Sequence, residues 1–79
     1  MEQQNDNLHE HPIRFYGKSE LAALYIPNCD PESAKRSLIR WINRNTELTQ
    51  KLKEIGYDKK RHFFFSKEVE LIFHYLGRP

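Results

Sequence analysis

The residues best suited to recognise another molecule lie in the stretch DPESAKRSLIRWINRN, residues 30–45. Arginine can form two parallel hydrogen bonds with guanine, and asparagine can do the same with adenine. A helix places successive residues about 100° apart, which separates the apolar from the polar residues of this stretch. The apolar side holds Ala34, Leu38, Trp41 and Ile42. The opposite side holds Arg36, Arg40, Asn43 and Arg44, with Ser33 along its edge. The spacing therefore predicts a DNA-reading face.

A second group of basic residues is placed to contact the phosphates of the same DNA. Lys35 lies on the same helix, while Lys59, Lys60 and Arg61 lie in a turn before a predicted strand. Lysine and arginine contacts to phosphate position a protein on the duplex without reading its sequence. A turn in this position would act as a wing against the DNA backbone. The leading hypothesis is thus non-catalytic binding of double-stranded DNA.

The basic side of the helix has a second interpretation. A core helix of any small protein needs a polar back, and arginine is a good helix former. The arginines could also be paired with Glu32, Glu47 or Glu54, although such surface ion pairs contribute only about 0–1 kcal/mol each. The alternative to DNA binding is therefore a solvated or protein-binding face.

The three consecutive phenylalanines at 63–65 are a second feature that favours a protein-binding surface. Side chains alternate along a strand, so Phe63 and Phe65 should face one side and Phe64 the other. If one of these sides is exposed, it offers an apolar contact to a partner protein or a second copy. The rival hypothesis is a protein-interaction module or dimerising accessory factor that uses this ribbon and the third helix.

The sequence offers few residues suited to catalysis or to metal binding. His9 and His11 provide ligand types in HEH, but structural zinc sites need four Cys or His ligands. Cys29 has no histidine beside it, and a chain with only three glycines has no phosphate-cradling loop. We expect no enzyme activity, no cofactor, no metal and no small-molecule substrate.

The composition indicates the compartment and the domain organisation to expect. The 79 residues have a net charge of +2, yet residues 1–11 contain three acids and no lysine or arginine, so the remainder is distinctly basic. A single cysteine argues for a reducing compartment, and no apolar run reaches the roughly 18 residues of a membrane span. We expect a cytoplasmic protein with no membrane partner, made of a disordered polar tail (1–11) and one domain (12–79).

The pattern predicts four short helices and two strands. The helices are expected at 19–25, 31–44, 47–55 and 67–76, with Ser19, Asp30, Thr46 and Ser66 as N-caps. The strands are expected at 13–16 and 62–65, paired with each other because lone strands leave backbone groups unsatisfied. The fold class is mainly α with a minimal β ribbon, winged helix-turn-helix-like. The predicted core is Leu21, Leu24, Ala34, Leu38, Trp41, Ile42, Leu52, Val69, Ile72, Phe73 and Leu76.

The motifs YGKSELAALY, RWI, GY and the closing YLG resemble a family of short uncharacterised bacterial proteins, a domain of unknown function of about 80 residues. The resemblance covers residues 13–79 and implies no particular activity. ELAALY followed by SLIRWI is also similar to the small helix-turn-helix domains of excisionase-like and MerR-like regulators. That resemblance implies a second helix in the major groove, although the segment IPNCDP between the helices is longer than the usual turn.

Overall fold

The computed structural model describes residues 11–79, and the predicted tail falls outside this range except for His11. The elements in chain order are β1 (Tyr16–Gly17), α1 (Lys18–Tyr25), α2 (Pro31–Arg44), α3 (Thr46–Glu54), β2 (Phe63–Phe64) and α4 (Ser66–Leu76). The predicted fold class, mainly α with a minimal ribbon, is confirmed. No helix of the described part is long and apolar enough to cross a membrane.

The two strands pair with each other, as predicted, but they are shorter than predicted. The pairing is antiparallel, with Tyr16 opposite Phe64 and Gly17 opposite Phe63. The backbone N–H of Lys18 extends it by donating to the His62 carbonyl at 2.9 Å. β1 begins three residues later and ends one residue later than predicted, and β2 lacks the predicted residues His62 and Phe65. The predicted strand at 13–16 was therefore wrong for residues 13–15, and Gly17 belongs to the ribbon.

The starts of α1 and α4 follow one local design that the sequence reading missed. Gly17 is the N-cap of α1, and its N–H donates to Glu20 Oε1 at 3.1 Å. Phe65 is the N-cap of α4, and its N–H donates to Glu68 Oε1 at 2.8 Å. A glutamate at the third helical position reaches back to the cap in this way. This bond sets where each helix starts.

Three of the four predicted N-caps were therefore wrong. Ser19 and Ser66 lie inside the first turns of α1 and α4, and the cap of α3 is Asn45 instead of Thr46. The Asn45 side chain accepts a hydrogen bond from the Leu48 N–H at 2.9 Å. Asp30 is the cap of α2, as predicted, and accepts from the Ser33 N–H at 3.1 Å, with Pro31 at the first helical position.

Most of the predicted core is buried. The confirmed members are Leu21, Ala34, Leu38, Ile42, Leu52, Val69, Ile72 and Phe73. Four further apolar residues are buried although they were not predicted, namely Tyr16, Ala22, Leu48 and Phe64. Leu24 and Leu76 pack only at the edge of the core. Trp41 was placed wrongly, because it is 38% exposed and meets Tyr25 edge to face at 6.2 Å. The core-facing line of α2 passes through Ala34, Leu38 and Ile42, which leaves Trp41 on its flank.

The ribbon divides the phenylalanines as alternation predicts. Phe64 is fully buried and stacks on Tyr57, with ring centroids 5.6 Å apart. Phe63 is half-buried, while Phe65 is 51% exposed. Only Phe63 and Phe65 could therefore meet a partner, and Phe64 is a core residue.

A buried ion pair joins the segment before β2 to the start of α4. The Arg61 guanidinium binds Glu68 through two contacts, Nη2–Oε2 at 2.7 Å and Nη1–Oε1 at 3.1 Å. The exposed fractions of these side chains are 19% and 2%. Arg61 also donates to the Phe63 carbonyl at 3.2 Å. In α1 the corresponding pair, Arg14–Glu20, is about half exposed.

We expect Glu68→Gln to lower the free energy of unfolding by about 3 kcal/mol, because it leaves a largely buried guanidinium without its counter-charge. Glu20→Gln is the matched control, since this glutamate has the same helical position and an arginine partner in solvent. It should cost less than about 1 kcal/mol. Urea unfolding followed by circular dichroism measures both. Equal losses for the two variants would contradict the structural role assigned to the Arg61–Glu68 pair.

Candidate nucleic-acid interface

The outer face of α2, formed by Arg36, Arg40, Asn43 and Arg44, lies in solvent. It is turned away from the core because Ala34, Leu38 and Ile42 occupy the opposite side of the helix. Within residues 11–79 none of its arginines forms an ion pair. Of the carboxylates considered as partners, Glu32 instead faces Lys35, with Oε2–Nζ at 3.4 Å. The three guanidinium groups therefore have no carboxylate partner in the described part of the chain.

Beside this face lies a second cationic feature, which we call the basic groove. It has a volume of about 580 Å³ and is bordered by α2, α3 and the turn at 58–62. Its cationic lining consists of Lys18, Lys35, Lys53, Lys59, Lys60 and Arg61. Its apolar lining consists of Ile39, Ile42, Leu52 and Tyr57. Asn43 also lines the groove, so this residue joins it to the outer face of α2.

The groove holds more positive than negative charge. Arg61 is neutralised by Glu68, and Lys35 is partly neutralised by Glu32 in a weak exposed pair. The Asp58 carboxylate accepts a hydrogen bond from the Lys60 backbone N–H at 2.9 Å, which shapes the turn. The side chains of Lys53, Lys59 and Lys60 form no ion pair with any residue from 11 to 79.

Lys18 is the most enclosed cation of the groove, with only 7% of its surface exposed. Its Nζ donates to the Lys59 carbonyl at 2.8 Å and lies 5.1 Å from the centre of the Tyr57 ring. Burial lowers the pKa of the Lys18 amine below its ordinary value, and repulsion from Arg61 and Lys35 lowers it further. Asp58 and Glu68 oppose this shift. The fold thus encloses the Lys18 amine in surroundings that disfavour its charged form.

The comparison with known families gives one match. A family model described as a domain of unknown function, DUF4248, matches residues 12–79. The chain belongs to this family. Neither a curated protein nor a solved structure matches the chain. The expected resemblance to a short domain of unknown function is confirmed, and the family description assigns no activity to the DUF4248 domain.

The DUF4248 domain places the predicted DNA-binding residues in four settings, of which the last is that of Arg61. The outer-face residues Arg36, Arg40, Asn43 and Arg44 lie together in solvent, as the spacing predicts. Lys35, Lys59 and Lys60 line the basic groove. Ser33 is half-buried in the first turn of α2, where its N–H bonds to the Asp30 cap.

Arg61 is placed differently from the other predicted phosphate contacts. Its guanidinium is engaged by Glu68 and the Phe63 carbonyl, so its strongest interactions are internal. The turn that contains it does not join the two strands of a hairpin, because α1, α2 and α3 separate β1 from β2. The turn that was predicted to act as a wing is therefore not the tip of a β-hairpin. The ion pair between Arg61 and Glu68 of α4 holds it in place.

Sequence reading missed Lys18 as a member of the site. One local signal was present, because a lysine in the first turn of a helix lies at the positive end of the helix dipole, where a cation is disfavoured. Its partners Lys59 and Tyr57 lie about forty residues further along the chain, and spacing alone does not bring them near. Within residues 11–79 no three His, Cys, Asp or Glu side chains are grouped to hold a metal ion.

We expect the pKa of the Lys18 amine to lie below the ordinary lysine value of 10.5, because burial and the neighbouring cations disfavour its charged form. The charge of Lys18 opposes folding below its folded pKa. This cost disappears as the pH rises through that value toward the ordinary 10.5. NMR titration of the lysine side chains measures the midpoints, and Lys18→Met identifies the signal. A Lys18 midpoint at the ordinary lysine value of 10.5 would contradict the enclosed site.

Proposed function

We propose that this DUF4248 domain is a non-catalytic DNA-binding protein of helix-turn-helix character. In this proposal α2 enters the major groove of duplex DNA, and Lys35, Lys59 and Lys60 contact phosphates beside it. The observation that carries the proposal is the outer face of α2. It presents three exposed arginines and an asparagine that have no carboxylate partner within residues 11–79.

The arrangement of these side chains suits a helix in the major groove. Arg36, Arg40 and Arg44 are four residues apart, and a helix rises about 1.5 Å per residue, so they form a row about 12 Å long. The major groove admits an α-helix, and arginine and asparagine are the side chains that most often read guanine and adenine there. The row is short enough to lie along one groove.

The remaining framework also supports the proposal. α1 and α2 share the most extensive contact between helices, and residues 26–30 connect them. This order matches a helix-turn-helix in which the second helix reads DNA, although the connection is longer than the usual turn. The basic groove adds lysines on one side of the reading helix. A domain of this size should bind non-specific DNA only weakly, with a dissociation constant of about 10⁻⁴ to 10⁻⁶ M at physiological salt.

We expect the Arg36→Ala, Arg40→Ala, Arg44→Ala triple variant to weaken binding to a labelled duplex by at least about tenfold, because three cations leave the interface. Fluorescence anisotropy at two salt concentrations measures the affinity. The wild-type affinity should fall with salt, with a log–log slope near −0.9 per phosphate contact.

The matched control for this test is the Arg14→Ala, Lys51→Ala, Lys67→Ala variant. It removes the same net charge from sites outside α2 and outside the basic groove. Circular dichroism confirms that both variants fold. If the control loses as much affinity as the α2 variant, binding follows net charge and the reading face is wrong. If the wild type does not bind at low salt, the proposal fails.

A second candidate function is protein association, and one observation favours it. Ile13, Phe15, Phe65 and Ile55 are all more than 40% exposed and line an open depression of about 790 Å³ around the ribbon. Phe15 and Phe65 both pack against Phe63, with ring centroids 6.1 and 5.5 Å apart. Exposed apolar clusters of this kind occur at protein–protein contacts. Ile55 brings the end of α3 into the same patch.

If this patch joins two copies, the Phe15→Ser, Phe65→Ser double variant should shift the protein toward monomer, because the exposed apolar area at the contact is reduced. Sedimentation velocity over a concentration series measures the change. Trp41→Ser is the control, since Trp41 is also partly exposed but lies outside the patch. A wild-type chain that stays monomeric at high concentration would contradict self-association through this patch.

A further inference from the structure

The basic groove has properties that the proposed DNA contact does not use. None of Arg36, Arg40 and Arg44 lines it. It shares Asn43 with the outer face of α2, and its lysines Lys35, Lys59 and Lys60 are the proposed DNA phosphate contacts. Its volume of about 580 Å³ falls within the range of roughly 300–1,000 Å³ that is common for small-molecule sites. Unlike most such sites it is lined mainly by charged and polar side chains, with a smaller apolar part.

The enclosed end of the groove offers hydrogen-bond donors without acceptors. A lysine ammonium has three N–H donors, and Lys18 uses one of them on the Lys59 carbonyl. The other two find no protein acceptor among residues 11–79. The hydroxyl group of Tyr57 likewise forms no hydrogen bond within that range, and the side chain is half-buried in the groove lining. Burial raises the pKa of Tyr57 to about 12, so the hydroxyl keeps its proton near neutral pH.

The charge of the groove favours an anion with several acceptor oxygens. Lys18 lies close enough to Lys35 and Arg61 for their charges to repel its own. Lys59 and Lys60 add exposed ammonium groups at the rim, without ion pairs to the described residues. A phosphate group would accept from Lys18, Tyr57 and a rim lysine, and its negative charge would relieve the repulsion.

The apolar lining adds a second requirement. Ile39 is half-buried and offers an apolar surface that inorganic phosphate alone would not cover, while Ile42 and Leu52 beside it already belong to the core. An apolar body attached to the phosphate would exclude water from the exposed part of Ile39 and gain hydrophobic free energy.

We propose that the basic groove binds a small molecule that carries a phosphate group on an apolar body. The phosphate lies against Lys18, Tyr57 and the rim lysines Lys59 and Lys60, and the body packs on Ile39. The proposal goes beyond DNA binding and does not require it.

The test is an NMR titration of the full chain with AMP as probe, alongside inorganic phosphate and adenosine. AMP should shift amide signals around the groove, at Lys18 and residues 57–62, and should bind more tightly than either fragment. Adenosine binding as tightly as AMP would overturn recognition of the phosphate. Inorganic phosphate binding as tightly as AMP would overturn the role of the apolar lining. No shifts with millimolar AMP would overturn the proposal.

Variants locate the site. The Lys53→Ala, Lys59→Ala, Lys60→Ala variant should weaken AMP binding by at least about tenfold, because charge-assisted hydrogen bonds are lost. The Arg14→Ala, Lys51→Ala, Lys67→Ala variant removes the same charge outside the groove and should bind AMP as the wild type does. Tyr57→Phe keeps the buried ring and should weaken binding severalfold. Equal affinities for the groove and control variants would overturn the proposal.

A last arm separates this site from the DNA contact. The Arg36→Ala, Arg40→Ala, Arg44→Ala variant should bind AMP unchanged, because its substitutions lie outside the groove. If DNA binding fails in the wild type while AMP still shifts the groove signals, the groove site stands without the proposed function. If AMP affinity falls as far as DNA affinity in this variant, the shifts report the phosphate contacts of α2 and the separate site is wrong.

Discussion

The structure depends most on the burial of one carboxylate, that of Glu68. A buried carboxylate is costly unless it is paired and hydrogen-bonded, and Glu68 meets both conditions through the Arg61 guanidinium and the Phe65 N–H. These contacts fix where α4 begins and where β2 ends. They also hold the basic turn at 58–61, since Arg61 is part of it. The position of the turn, in turn, defines one wall of the basic groove.

α1 and α4 begin with the same local arrangement of strand, N-cap and glutamate, but the consequences differ. In both β1–α1 and β2–α4 a two-residue strand runs into a helix whose third residue is a glutamate bound to an arginine upstream. Tyr16 and Phe64 occupy equivalent places in the two units and face each other across the ribbon. The first ion pair lies in solvent and the second is buried. Only the second organises the surrounding surface, because desolvation makes the loss of a partner costly.

Two cationic surfaces arise on one small domain for different reasons. The outer face of α2 exists because the core requires the opposite side of that helix, so its arginines are solvated by default. The basic groove exists because α1, α2, α3 and the turn bring lysines together around an apolar lining. The first surface is the one that we propose to bind DNA, and the second is the one that we propose to bind a phosphate-bearing small molecule. Membership of the DUF4248 family leaves both open, since its description assigns no activity.

Local periodicity and capping determined the features that depend on neighbouring residues. Asp30 and Pro31 mark the start of α2, the spacing from Ala34 to Arg44 separates its two faces, and the mainly α fold class follows from four such segments. Tertiary structure alone decided that Phe64 is buried, that Trp41 lies at the edge, and that Lys18 meets Lys59 and Tyr57. The physical reason is the separation along the chain over which each effect acts. Helical geometry relates residues three or four apart, whereas burial and electrostatic contact depend on which distant segments pack together.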